Sequence, residues 1–219
     1  MDFLFKELQP ITKNFFFIEG DINIIANTFI DWQTPLLAIH NNRLESNIIR
    51  EDLKHTLLRL SPLTTVEARR YVLIPTNSKW IAFFDNGNIG TDSSAPNVIG
   101  DFLKTKVIRA VYDNRTEDTI FDYSDYAINE NGLIRSINAI KESKWKFETY
   151  GTPLSFENLE LYNAKKIKDK FNLNILNNYL LYFDIDFLNK NYYKPKDGAI
   201  FIDKIGSMFP TTKEIELNI

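Results

Sequence analysis

The sequence predicts an α+β fold with a mostly antiparallel sheet that is built from hairpins and has helices packed against it. Two apolar regions, 71–85 and 120–142, are each interrupted by a short polar turn, as β-hairpins are. Other segments carry apolar residues at helical spacing. No repeat or flexible linker divides the 219 residues, and a chain of this length can bury one core. We therefore expect a single domain, 1–219.

The first predicted elements are a strand and two helices. Residues 14–19 form an apolar run that predicts a strand. Gly20-Asp21 then opens a helical pattern, which Pro35 should end because proline lacks an amide donor. A second amphipathic helix is predicted over 47–60, with Ser46 as its N-cap.

The first hairpin is predicted to join strands 71–76 and 79–85 through a turn at Asn77-Ser78. That turn places Val72 opposite Phe83. The second strand is apolar at successive positions, which is typical of a strand covered on both faces. It should therefore lie inside the sheet.

The second hairpin has Asn131-Gly132 as its turn, the pair that most favours a tight two-residue connection. Such a turn places Asp122 opposite Lys141, which would form an oppositely charged cross-strand pair. A further strand at 145–149 should extend the same sheet.

Other elements are predicted between and after the hairpins. These are a helix at 96–105, a strand at 107–112, a Lys-rich helix at 158–170, a helix at 173–183 and a short strand at 199–203. The pattern weakens after residue 188. Residues 189–219 are therefore expected to form a loosely packed C-terminal extension.

Composition excludes several classes of function. The chain has no cysteine, which rules out disulfides, thiolate metal sites and a cysteine nucleophile. Its net charge of −3 argues against a dedicated nucleic-acid-binding protein, since such proteins usually present a basic surface. The apolar runs are much shorter than the roughly 20 residues of a membrane span, and the N-terminus does not resemble a secretory signal. We expect a cytoplasmic protein, and no motif indicates a cofactor.

The loop 85–92 is the most distinctive candidate site. Asp85, Asn86 and Asp92 follow a predicted buried strand, and carboxylates on a tight loop could bind a hard cation or act as a general base. However, Pro96 stands where a calcium-binding loop requires a carboxylate, and the loop lacks the lysine of a nucleotide-binding loop. The residue types also suit a purely structural turn.

The two histidines do not indicate catalysis. His40 precedes a polar loop and His55 lies beside the apolar stripe of a predicted helix. Neither has a serine or aspartate in a recognisable triad context. Both are expected to be ordinary surface or boundary residues.

The segment 113–130 is rich in acidic residues and has Arg115 as its single base. Its acidic residues are Asp113, Glu117, Asp118, Asp122, Asp125 and Glu130. Such a region could attract a basic protein partner, although acidic residues also protect exposed sheet edges from pairing with other chains. The lysines at 165–170 could contact an anionic surface or form a solvated helix face.

Two segments resemble parts of known proteins. The sequences KWIAFFDNG at 79–87 and GTPLSFE at 151–157, followed by the Lys-rich helix, are similar to uncharacterised small bacterial proteins of the kind that includes immunity proteins for polymorphic toxins. The resemblance covers roughly residues 71–183. It implies binding to a toxin and identifies no catalytic residue.

Three functions remain open from the sequence. The leading hypothesis is a non-catalytic binding protein, such as an immunity protein that blocks a basic toxin by occlusion, with Glu117, Asp118, Asp122 and Asp125 among its binding residues. The first alternative is a metal-assisted hydrolase that uses Asp85 and Asp92. The second alternative is a structural or assembly subunit, to which the high aromatic content would contribute.

Overall fold

A computed structural model describes residues 3–217 and confirms the α+β class. Its main feature is a nine-stranded sheet in the order β2-β10-β4-β5-β1-β6-β7-β8-β9. Every neighbouring pair in this sheet is antiparallel. Within the described residues, no helix is long and apolar enough to cross a membrane.

The strands and helices have the following bounds. The strands are β1 (Asn14–Glu19), β2 (Arg43–Ile49), β3 (Leu63–Thr64), β4 (Arg70–Pro75), β5 (Trp80–Asp85), β6 (Lys106–Tyr112), β7 (Thr119–Asp125), β8 (Leu133–Lys141), β9 (Trp145–Tyr150), β10 (Ala199–Ile205) and β11 (Glu214–Ile215). The helices are α1 (Phe3–Glu7), α2 (Ile22–Ala38), α3 (Leu53–Leu58), α4 (Ser94–Leu103), α5 (Ile167–Lys170) and α6 (Leu173–Leu181). Short 3₁₀ turns occur at Leu159–Asn163, Lys190–Tyr192 and Pro195–Asp197.

The sheet is buried on both faces around its central strands. Successive phenylalanines of β1 alternate between two cores, with Phe15 in the first and Phe16 in the second. Helices α3 and α6 contribute to the first core, and α2 and α4 contribute to the second. Strand β5 lies between β4 and β1 and all six of its residues are buried, which confirms its predicted place inside the sheet.

Helix α2 begins as predicted but continues beyond its proline. The Asp21 carboxylate caps the helix by accepting hydrogen bonds from the amides of Asn23 and Ile24. The prediction that Pro35 ends the helix is wrong, because the helix runs to Ala38. Pro35 lies on the exposed side of α2, where water can satisfy the carbonyl that loses its amide partner.

The predicted helix at 47–60 is also wrong in its first part. Residues 43–49 form the edge strand β2, in which Ser46 pairs with Ile202 of β10 instead of capping a helix. The helix is limited to α3, and its N-cap is Asp52. Pairing with β10 satisfies the backbone of β2, so this long-range contact overrides the helical spacing of the apolar residues.

Both hairpins form, but neither has the predicted register. Val72 pairs with Phe84 rather than with Phe83, because the connection is centred on Ser78 and not between Asn77 and Ser78. Asp122 pairs with Ser136 rather than with Lys141. In this second hairpin the loop begins at residue 126, well before Asn131-Gly132, and a bulge between Tyr123 and Ser124 changes the register by one residue along the ladder.

The C-terminal third differs most from the prediction. The predicted helix at 173–183 is present as α6, whereas 158–170 contains only a 3₁₀ turn and the single turn α5. Strand β10 lies between β2 and β4, and it buries Ala199 and Ile202. Residues 199–205 are therefore an integral part of the sheet and not a loose extension, while residues 218 and 219 lie outside the described range.

Candidate binding cleft

A polar cleft opens on the face of the sheet that carries the second core. Its floor includes Tyr71, Asp85, Asn14 and Arg109, which four neighbouring strands present on the same face. The cleft has a volume of about 440 Å³. This volume falls in the range of sites for small molecules.

The walls of the cleft come from one helix and two loops. Helix α2 contributes Phe29, Trp32 and Gln33, and the loops 64–68 and 87–95 form the other sides. The two loops are tied together, because the Thr64 amide donates to the Asn86 carbonyl at 2.8 Å and the Asn88 amide donates to the Thr64 carbonyl at 2.9 Å. The walls are thus held by backbone hydrogen bonds.

Asp85 organises the loop that follows β5. Its side chain is 1% exposed, and its two carboxylate oxygens accept hydrogen bonds from the Gly87 and Asp92 amides, each at 2.9 Å. Burial raises the pKa of Asp85 to about 7, against the lowering effect of these two hydrogen bonds. The carboxyl group therefore changes its protonation near neutral pH.

Asp92 and Asn86, the other predicted residues of this loop, have different environments. Asp92 is exposed and lines the cleft, where its Oδ1 accepts from the Ser94 amide at 2.8 Å and from the Ser94 hydroxyl. Asn86 is buried outside the cleft lining. Its Oδ1 accepts from the amides of Arg69 and Arg70, and its amide group donates to the Pro62 carbonyl. Asn86 thus holds the loops in place.

Asn14 and Arg109 were not identified from the sequence, yet they carry the unsatisfied polar atoms of the cleft. The Asn14 amide group donates to the Thr91 carbonyl at 2.9 Å, while its Oδ1 is buried without a hydrogen-bond partner among residues 3–217. The Arg109 Nε is likewise buried without such a partner, although its guanidinium pairs with Asp122 at 3.2 Å. A polar residue within an otherwise apolar strand is the signal that could have found both.

The acidic residues of 113–130 do not converge on one surface, and most of them are paired within the chain. Asp113 pairs with Lys13 at 2.8 Å, and Glu117 pairs with Lys168. The Asp118 carboxylate accepts a hydrogen bond from the Lys141 amide, and Asp122 forms an ion pair with Arg109. Asp125 is buried, and its carboxylate accepts hydrogen bonds from the Ala127 amide and the Tyr123 hydroxyl. Glu130 is exposed in the loop between β7 and β8.

The histidines and the lysine-rich segment lie away from the cleft. His40 is exposed beside the Phe209 ring, and His55 is exposed with its Nδ1 2.5 Å from the Asp52 carboxylate. Lys168 and Lys170 lie over the rings of Trp145 and Phe147. Within residues 3–217, no group of three or more histidine, cysteine or acidic side chains could hold a metal ion.

Comparisons with known proteins supply no relative. No family model, curated protein or solved structure matches the chain. The function of the chain therefore has to be inferred from its residues and from the geometry of the cleft.

Proposed function

We propose that this protein is a non-catalytic binding protein that holds a compact polar ligand, or a polar group of a larger partner, in the cleft. The observation that carries the proposal is the pair of unsatisfied atoms, the acceptor Oδ1 of Asn14 and the donor Nε of Arg109. Both residues line the same cleft. A ligand with one donor and one acceptor would complement them.

The two unsatisfied atoms are buried polar groups. A buried polar atom without a partner destabilises the folded state, so nearly all such atoms bind a protein group, a water molecule or a ligand. Two unsatisfied atoms of opposite hydrogen-bonding sense at one cleft are typical of a site that orients its ligand through a few polar contacts. The apolar walls formed by Phe29 and Trp32 would exclude water from those contacts.

A metal-assisted hydrolase has less support. Asp85 would be its central carboxylate, yet both oxygens of this group already accept hydrogen bonds from backbone amides. Asp92 also uses one oxygen to hold Ser94. A cation would have to displace these hydrogen bonds, and the loop would then lose the contacts that shape it.

Retention of small molecules tests the proposed function. The purified protein is incubated with a bacterial metabolite extract and washed by ultrafiltration, and the retained compounds are identified by mass spectrometry. We expect a polar compound of low molecular mass to be retained. Arg109→Gln should weaken its binding about tenfold or more, because the variant loses hydrogen bonds from a charged group.

Arg115→Gln is the matched control, since it removes the same charge from an exposed position outside the cleft. It should retain the compound as the unsubstituted protein does. Equal retention by the unsubstituted protein and both variants would mean that the compound binds outside the cleft. Retention of no compound would contradict binding of a free small molecule.

The immunity role is the second candidate, and it could use the same cleft. Val66 and Ile89, on the two loops, are 58% and 74% exposed and line the cleft beside the exposed Asp92 carboxylate. An apolar rim with a carboxylate and the free acceptor of Asn14 would suit a lysine or arginine side chain inserted by a basic toxin.

A toxin encoded beside the gene should therefore bind the protein, and Asp92→Asn should weaken that binding about tenfold in calorimetry. Asp31→Asn, which removes an exposed carboxylate from α2, should leave the affinity unchanged. A toxin that binds both variants equally would not use the cleft. The remaining alternative, an assembly subunit, predicts a mass above that of a monomer in size-exclusion light scattering.

A further inference from the structure

A second pocket, remote from the cleft, lies between the N-terminus of α3 and residues 190–197. Its volume is about 510 Å³. The residues that line this lysine pocket are Asp52, Leu53, Lys54, Lys190, Asn191, Tyr193, Lys194, Pro195, Lys196 and Asp197. None of them lines the cleft.

The lysine pocket is basic although the whole chain carries a net charge of −3. Four lysines line it against two aspartates, but Lys54 pairs with Glu7 at 3.6 Å and Lys190 also interacts with another group. Asp52 is already engaged, because its carboxylate accepts from the His55 amide and lies 2.5 Å from the His55 ring nitrogen. Among the described residues, the ammonium groups of Lys194 and Lys196 form no ion pair, so both remain available to an anion.

The floor of the lysine pocket is apolar. Leu53, Tyr193 and Pro195 line it and are buried. Burial raises the pKa of Tyr193 well above its usual value, so its hydroxyl stays neutral. An apolar floor beneath the ammonium groups of Lys194 and Lys196 suits a molecule with an apolar body and an anionic end.

The segment that carries the lysines is fixed to the sheet. The Lys194 amide donates to the Pro75 carbonyl at 2.7 Å, and the Asn77 amide donates to the Tyr192 carbonyl at 2.9 Å. The Tyr193 hydroxyl donates to the Phe187 carbonyl at 2.9 Å. The backbone of this wall is therefore held in place before any ligand binds, which reduces the entropic cost of binding.

We propose that the lysine pocket binds a small phosphorylated molecule that carries an aromatic ring. The ring would lie on Leu53 and Pro195, and the phosphates would face Lys194 and Lys196. Lysine ammonium groups bind phosphate as point charges and need no fixed orientation. The proposal rests on a different set of residues from the proposed function and does not depend on it.

Three probes separate the contributions to binding: adenosine triphosphate carries a ring and phosphates, tripolyphosphate carries phosphates alone, and adenosine carries the ring alone. Calorimetry on the full chain should give the tightest binding with adenosine triphosphate, and that affinity should fall as salt is added. The double substitution Lys194→Gln and Lys196→Gln should weaken this binding about tenfold.

The matched control is the double substitution Lys165→Gln and Lys166→Gln, which removes two exposed charges elsewhere. It should leave the affinity unchanged. An equal loss in both double variants would mean non-specific charge attraction and would overturn the proposal. Equal affinity for tripolyphosphate and adenosine triphosphate, or no binding of the latter at millimolar concentration, would overturn it as well.

Discussion

Replacing Glu157 with glutamine should lower the free energy of unfolding by about 3–5 kcal/mol, because it leaves the buried charge of Arg135 without its counter-ion. The two side chains are 2% and 0% exposed, and the Arg135 Nη2 lies 2.7 Å from a Glu157 oxygen. The contact is bidentate, since the Arg135 Nε donates to the second carboxylate oxygen at 2.8 Å.

This ion pair connects three parts of the chain. Arg135 lies in β8, and its Nη1 donates to the carbonyls of Tyr150 and Gly151 at the end of β9. Glu157 accepts further hydrogen bonds from the Leu154 amide and the Tyr162 hydroxyl. The segment GTPLSFE at 151–157 thus folds back onto the sheet through its last residue, and loss of the pair should loosen the segment.

Urea unfolding of the purified variant measures the effect. Glu142→Gln is the control, because Glu142 and Lys146 form an exposed ion pair and should contribute at most about 1 kcal/mol. The double variant Arg135→Met and Glu157→Leu should be less destabilised than Glu157→Gln, since no charge then remains buried. A loss below about 1 kcal/mol in Glu157→Gln would contradict the structural role of the pair.

The same pair should make stability depend on acidity. Burial alone would raise the pKa of Glu157. The hydrogen bonds from Arg135, Leu154 and Tyr162 lower this pKa by more than burial raises it, so the net shift is downward. A lowered folded-state pKa stabilises the protein fully above the unfolded-state pKa of about 4.3. This stabilisation is lost as the pH falls through the folded-state value.

Local signals in the sequence predict the elements that depend on local contacts. Asp21 accepts hydrogen bonds from amides two and three residues ahead, so the start of α2 is encoded within a few positions. Strand β5 consists of apolar residues at successive positions and does lie inside the sheet. Short-range chemistry is sufficient in both cases.

Long-range pairing explains the errors. The apolar residues of 47–60 match a helix by spacing, but β10 pairs with β2 across about 150 residues of chain, and no local signal records that contact. The predicted registers of the two hairpins are wrong because side chains stabilise loops that are longer than the two-residue turns on which the predictions are based. Asp125, for example, accepts from the Ala127 amide inside the second loop.

The residues of the candidate cleft also divide into those that a local sequence signal identifies and those that only long-range strand pairing brings together. Asp85 and Asp92 were identified because glycine and acidic residues cluster in one loop. Asn14 and Arg109 belong to strands that pair with each other, and only the register of β1 against β6 brings them to one face. Their neighbours in space come from distant parts of the chain, so a single sequence cannot assemble the site.

Stability should also fall between pH 5 and pH 8 because of Asp85. Its folded-state pKa of about 7 lies above the ordinary value of 3.8. The unfolded chain therefore loses the proton first, and the folded state binds more protons throughout this range. A raised folded-state pKa makes stability decrease as pH rises from about 4 to about 7, after which both states are ionised and the effect is constant.

Asp85→Asn removes this titration and isolates its contribution. From pH 5 to pH 8, the difference in unfolding free energy between the variant and the unsubstituted protein should shift by about 2–3 kcal/mol in favour of the variant. Asparagine keeps one acceptor for the Gly87 or Asp92 amide and loses the other, but this cost is the same at every pH. Subtraction at each pH also removes the contributions that the two proteins share.

Urea unfolding at pH 5, 6, 7 and 8 provides the measurement, with Asp31→Asn as the control for loss of an exposed carboxylate. That control should show the same difference at every pH. If the Asp85→Asn difference is also independent of pH, the Asp85 carboxyl is ionised throughout the range. The two backbone amides would then outweigh burial, and the loop 85–92 would hold a fixed negative charge at the base of the cleft.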